Sequence, residues 1–237
     1  MSDWKAKRFW KEATVEEGNG GFEVKLDGRP VKTPAKRSLL LPTRAMAEVI
    51  AAEWDAQEGE IKPHLMPATK TANAAIDKVA VQHAEVADML ADYGDCDLLC
   101  YRAEGPAELV ARQAELWNPM LDWAQQALGV RLALREGVMH APQDSAALAV
   151  LRDKTHALSA FELAAFHDLV SLSGSLVLGF AAAHQARDPE ALWDLSRLDE
   201  IWQAEQWGVD EQAEEMAAVK KDSFLHANAM FTLCRQV

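Results

Sequence analysis

Phe22-Glu23-Val24-Lys25-Leu26-Asp27-Gly28-Arg29-Pro30-Val31-Lys32-Thr33-Pro34 decides how the first part of the chain folds. Phe22, Val24 and Leu26 alternate with Glu23 and Lys25, the period of a strand with one buried face. Asp27-Gly28 suits the left-handed backbone of a two-residue hairpin, so the chain is expected to reverse there with Arg29 exposed. Pro30 to Thr33 reads as a second short run, closed by Pro34. Working outward, Phe9 to Val15 and Leu39-Leu40-Leu41 are further strand-like runs, and Gly18-Asn19-Gly20-Gly21 is a turn signal. Residues 8–42 therefore predict a small antiparallel β unit.

The pattern changes at Pro42-Thr43, where Thr43 is a candidate helix N-cap. Ala47, Ile50, Ala51 and Trp54 then share one helix face. Gly59 and Pro63 close that unit, and Pro67 opens a helix through Ala72, Ile76 and Val79. From there the expected helices are Glu85–Tyr93, Pro106–Leu128 with an interruption at Pro119, Asp144–Leu158, Ala160–Gln185, Pro189–Trp207 and Asp210–Leu233. Val130 to Arg135 alternates and predicts one short strand. The fold class is α+β: a small antiparallel β-rich N-terminal domain over residues 1–64, then a larger, mainly α-helical domain over 65–237.

Composition narrows the class of protein. Three cysteines, Cys96, Cys100 and Cys234, are an odd count that argues against a disulfide framework and suits a reducing compartment. Met1 to Arg8 leads into no apolar run of the secretory type. Leu169 to Ala186 holds no acidic or basic residue, yet Ser171, Ser173, Ser175, His184 and Gln185 interrupt it, so a buried central helix is favoured over a membrane span. Residues 1–65 carry 11 basic and 11 acidic side chains, so the net charge of −13 falls wholly on residues 66–237. Asp188 to Glu215 alone holds ten acids and one base, Arg197. Phosphate binding needs the opposite sign, which disfavours nucleic acid as a partner.

That acidic window contains Leu198-Asp199-Glu200-Ile201-Trp202-Gln203-Ala204-Glu205-Gln206-Trp207-Gly208. At 100° per residue, Leu195, Leu198, Ile201 and Trp202 form an apolar stripe that continues back to Ala191. Glu200, Gln203 and Trp207 share the opposite face, and Gly208 supplies the stop. A tryptophan beside a carboxylate and an amide on that face suits contact with another protein as well as burial. Glu205 falls on the apolar stripe and needs a partner if buried.

Catalytic and cofactor signatures are absent. The chain has no phosphate-binding glycine loop, no nucleophile elbow and no pair of histidines four residues apart. Tyr93-Gly94-Asp95-Cys96-Asp97-Leu98-Leu99-Cys100-Tyr101-Arg102 comes nearest to a site, with Cys96 and Cys100 expected on one helix face. Two thiols without further soft ligands make an incomplete zinc set, so Leu99 and Cys100 are expected in the core and Arg102 against a carboxylate. Ser173-Gly174-Ser175-Leu176-Val177-Leu178-Gly179 offers small residues for close helix approach. No catalytic residue, metal or cofactor is expected, and elimination points to a binding protein.

The chain resembles the assembly chaperone family for the alpha subunit of the F-type ATP synthase catalytic head. The resemblance runs through Arg8-Phe9-Trp10-Lys11, Leu26 to Pro34, Glu53-Trp54 with Gln57, Ile61-Lys62-Pro63 and Ala75-Ile76-Asp77. It continues in Asp97 to Arg102, Gln113 with Trp117 and Pro119, Trp123, Gly174-Ser175-Leu176, and Asp199-Glu200 with Gln203, Trp207 and Gly208. It implies a chaperone without enzymatic activity, in the bacterial cytoplasm, that transiently binds the unassembled alpha subunit and shields its interface until the beta subunit replaces it. The physical need is an apolar ring interface too large for a soluble monomer. Glu200, Gln203 and Trp207 are then the expected contact residues, Glu205 a second choice, while Asp97, Tyr101 and Arg102 serve the partner or brace the domain. The rival readings are a small-molecule enzyme with a site near Asp97 and Cys100, and a stable structural subunit of a complex. Self-association is left open.

Overall fold

The computed structural model describes residues 7–18 and 20–236. Asn19 of the predicted turn and the first six residues lie outside it. Proximity groups the described chain into two compact units. The first comprises the residues up to His83 with Ser159–Ala165 and those from Ala229 on; the second is Ala84–Leu158 with Phe166–Asn228.

The first unit is built on four antiparallel strands: β1 (Ala13–Gly18), β2 (Gly21–Leu26), β3 (Arg29–Pro30) and β4 (Leu40–Leu41). β2 is central, pairing with β1 from Ala13↔Leu26 to Gly18↔Gly21, with β3 at Leu26↔Arg29 and with β4 at Phe22↔Leu41. Asp27 and Gly28 take positive φ, 46° and 78°, as the hairpin requires, and Arg29 is exposed. The first strand starts later than Phe9, because residues 8–12 are held as an irregular strap. Asp27 accepts from the backbone N–H groups of Lys11 and Glu12, at 3.0 and 3.1 Å. Within the strap Trp10 is buried and Phe9 exposed.

Helix α1 (Arg44–Asp55) packs on β1 and β2 through Met46, Ala47, Ile50 and Ala51, all buried. Its N-cap is Thr43, whose hydroxyl accepts from Met46 N at 3.2 Å and donates to Leu233 O at 2.7 Å. Glu53 ties the start of α2 (Pro67–Ala74) to α1, accepting from Ala68 N, Thr69 N and the Thr69 hydroxyl at 2.6 to 2.7 Å. A π turn, Ala75–Val79, continues α2.

The second unit takes most of α3 (His83–Ala91), then β5 (Tyr101–Arg102), α4 (Ala107–Ala127), β6 (Arg135–Glu136), α5 (Ser145–His156), the end of α6 (Ala160–Ser173), α7 (Leu176–Ala183), α8 (Pro189–Ser196), α9 (Leu198–Trp207) and most of α10 (Glu211–Leu233). Every residue of α7 is buried. Among the described residues no helix is long and apolar enough to cross a membrane.

Four sequence expectations change. Pro119 does not interrupt α4; it sits on the exposed side, where the carbonyl its ring leaves unpaired is open to water. The segment Ala160–Gln185 is two helices, because Gly174 adopts φ +68° and Ser175 caps α7, accepting from Leu178 N at 3.0 Å. Pro189–Trp207 also divides, at Arg197 (φ −106°, ψ 12°). Val130 to Leu134 is irregular rather than a strand. The Gln143 amide takes the place of a neighbouring strand, donating to Ala133 O and accepting from Ala133 N at 2.9 and 2.7 Å.

Candidate functional site: the groove of helices α8 to α10

Asp188 starts α8 by accepting from Glu190 N at 2.9 Å, and Pro189 occupies the first turn, where its missing N–H costs nothing. Trp193 is buried on Phe224 of α10, ring centroids 5.8 Å apart. The chain then turns at Arg197, whose guanidinium lies over the Trp193 ring and donates to Glu200 at 2.8 Å. Gly208 (φ 94°) ends α9, and Asp210 caps α10 by accepting from Gln212 N and Ala213 N. These turns leave a groove of about 770 Å³ between α8, α9 and α10, and Glu200, Gln203, Glu205 and Trp207 all line it.

Helix α4 holds α8 and α9 in place. Trp117 donates its indole N–H to Leu195 O at 2.9 Å, and Gln113 donates to Asp199 at 2.7 Å. Arg112 closes a two-pronged ion pair on Glu205, at 2.5 and 3.0 Å, with its guanidinium over the Trp202 ring. That hydrogen bond holds the Glu205 carboxyl below its ordinary range and raises Arg112, so both stay charged. The expected apolar stripe is therefore shorter than its wheel: Leu195 and Leu198 are buried, Ile201 and Trp202 half-buried, and Ala191 exposed. Glu205 needs no burial, because its stripe position overhangs Arg112 instead of a core.

The opposite face is open. Glu200 and Gln203 are exposed, and Trp207 is 80% exposed. Val209, Met216 and Val219 are exposed on the following turn and helix, at 62, 57 and 67%. Asp194, Asp210 and Glu214 add carboxylates to the groove, against Arg197 and Lys221, which are engaged with Glu200 and Glu190. Such a surface can grip a partner with mixed apolar and basic character.

Asp97, Tyr101 and Arg102 sit elsewhere in the same unit. Asp97 is fully buried and accepts from Leu99 N, the Ser175 hydroxyl and Val177 N at 3.0, 2.7 and 2.9 Å. Burial pushes its carboxyl up to about 6, against the lowering effect of those hydrogen bonds. Arg102 does not meet a carboxylate: it donates to Leu99 O and Asn118 Oδ1, both at 2.9 Å, and lies over Trp117. Tyr101 is half-buried, its backbone paired with Arg135. Asp97 has extended backbone (ψ 130°) between two short 3-10 turns, so Cys96 and Cys100 do not share a helix face; Cys96 is exposed and Cys100 buried. Burial pushes the Cys100 thiol up to about 12, which keeps it protonated at neutral pH and inert as a nucleophile. Among the described residues no group of three His, Cys, Asp or Glu is placed to hold a metal ion.

The model of the ATP12 chaperone protein matches residues 7–125. The chain belongs to the ATP12 chaperone family. It is an assembly chaperone of the ATP synthase, and its partner is a subunit of that enzyme. The mitochondrial protein atp12 of Schizosaccharomyces pombe is 28% identical over 240 residues, 96% of this chain and 82% of that protein. The crystal structure of Atp12 from Paracoccus denitrificans superimposes with a TM-score of 0.96 at 46% identity, covering 98% of this chain and all of that one. A mutant of that protein with lysine in place of an aspartate matches equally, at 0.96 and 46% over 99% of this chain.

The residues that fix α9 were beyond sequence reasoning. Gln113 and Asp199 stand out in the family resemblance, but nothing in the chain links two positions 86 residues apart. Arg112 carries no signal at all.

Proposed function

We propose that this chaperone binds the unassembled alpha subunit of the ATP synthase catalytic head through the groove of α8 to α10 and releases it when the beta subunit competes. Glu200, Gln203 and Trp207 make the contacts, with Glu205 holding the end of α9 as well as lining the groove. The observation that carries this reading is Trp207, 80% exposed at the lip of an acidic groove whose helix is braced from behind by α4. A large aromatic held in water by a rigid helix costs solubility and returns nothing to its own fold, whereas at an interface it is an effective anchor. The role is shielding, with no bond made or broken by the chaperone, and it is exercised in the cytoplasm.

The test is capture of purified alpha subunit by immobilised chaperone, followed by challenge with beta subunit. The reading expects retention of alpha alone, release in proportion to added beta, and no retention by a Trp207→Ala variant that folds normally. Alpha retained equally by that variant, or never released by beta, overturns it.

A further inference from the structure

The first unit carries a second concavity, separate from the groove described above. It is a trough of about 630 Å³ whose apolar lining includes Trp54, Ile61, Pro63 and Met66, a size that suits a small molecule or a short stretch of peptide. Lys32, Lys70 and Lys78 stand on its walls, all three exposed and without an ion pair among the described residues. One carboxylate lines it, Asp77, and both its oxygens are engaged, accepting from the Thr33 hydroxyl at 2.7 Å and from Ala35 N at 3.0 Å. In a chain of net charge −13 this is a local reversal of sign beside an apolar lining.

Its walls are also chemically incomplete. Three buried side-chain polar atoms among the described residues have no hydrogen-bond partner, and two belong to this trough: the Trp54 indole N–H and the Asn73 amide oxygen. A desolvated donor and a desolvated acceptor are each unfavourable until matched. A peptide group supplies both counterparts, a carbonyl for the indole and an N–H for the amide.

We propose that this trough binds an extended peptide segment that is apolar and acidic, with its backbone amide matched to Trp54 and Asn73 and its carboxylates to Lys32, Lys70 and Lys78. Charge complementarity selects this occupant, because a basic segment would meet three ammonium groups and no free carboxylate. The site lies in the other unit from the proposed alpha-subunit groove, so each assignment stands or falls without the other.

The probe is an acetylated, amidated pentapeptide alternating glutamate and leucine, compared with its lysine-for-glutamate counterpart and a short oligothymidylate. Each is titrated into the ¹⁵N-labelled full chain while the indole resonance of Trp54, assigned by its loss in Trp54→Phe, is followed. The acidic peptide is expected to move that resonance saturably. Its affinity should fall at least tenfold in a Lys70→Glu/Lys78→Glu variant, whose exposed substitutions leave the circular dichroism spectrum unchanged. The basic peptide should move nothing. An unmoved indole at millimolar peptide, equal binding of both peptides, affinity indifferent to the lysine reversals, or a matching response to the oligothymidylate would each overturn the proposal.

Discussion

Arg112 grips Glu205 with two nitrogens of its guanidinium, at 2.5 and 3.0 Å, across 93 residues of sequence. The pair ties the last turn of α9 to α4, beside the groove that Trp207 overlooks. It is half-open to water, so its value is positional rather than energetic. Glu205→Gln should leave the melting temperature nearly unchanged. Amide hydrogen exchange over residues 203–207 should become faster, read by mass spectrometry, while the start of α9 stays protected by the Gln113–Asp199 hydrogen bond.

Charge and aromatic contact at the groove separate cleanly by substitution. Glu200→Lys alters stability by no more than about 0.5 kcal/mol, since the side chain is exposed and its one partner is Arg197. It should weaken alpha-subunit binding about tenfold at low salt and less at high salt, as a rim charge does. Trp207→Ala should cost about thirtyfold or more, independent of salt, in the range of an interface anchor. Titration calorimetry at two ionic strengths distinguishes the two, and equal salt dependence would remove the electrostatic role given to Glu200.

Asp97 gives the fold a pH dependence of known sign. Its folded carboxyl titrates near 6 against an ordinary value of 3.8, so the folded chain holds the proton more tightly than the unfolded one. The stability this proton confers is complete below about pH 4 and is lost as pH rises through about 6. Asp97→Asn cannot titrate, and its amide nitrogen cannot accept the bond now made by Val177 N or Ser175. It should destabilise by about 1–3 kcal/mol at pH 7, and the gap between the two proteins should widen toward pH 4. Urea unfolding at pH 4, 5.5 and 7 tests both statements.

Gly179 is a packing position. A Cβ there would meet Val170 Cγ2 at 2.6 Å and the Phe166 ring at 3.3 Å. Val170 is β-branched and cannot swing aside, so Gly179→Ala should destabilise by about 1–3 kcal/mol through overcrowding between α6 and α7. Differential scanning calorimetry would show it as a lowered midpoint.

Thr43 holds two distant parts of the chain with one hydroxyl. Thr43→Val keeps the shape but removes the cap on Met46 N and the bond to Leu233 O, and should cost about 1–2 kcal/mol by chemical denaturation.

What the sequence alone determined is local. The alternation of Phe22, Val24 and Leu26, the turn at Asp27-Gly28, the cap at Thr43 and the stop at Gly208 each follow from the stereochemistry of a few adjacent residues. That Glu200, Gln203 and Trp207 share one face of α9 was legible for the same reason, since helical period sets it, whereas the exposure of that face was decided by the packing of α4 against the other side. The interruptions at Arg197 and Gly174 were not, because apolar periodicity continues across both while the backbone bends to satisfy Asp97 and the core. Only tertiary structure put Arg112 under Glu205, Asn118 rather than a carboxylate beside Arg102, and Leu233 against Thr43. Pairings of that kind join positions 16 to 190 residues apart. They depend on which surfaces meet after the apolar faces have been buried, and no spacing along the chain encodes it.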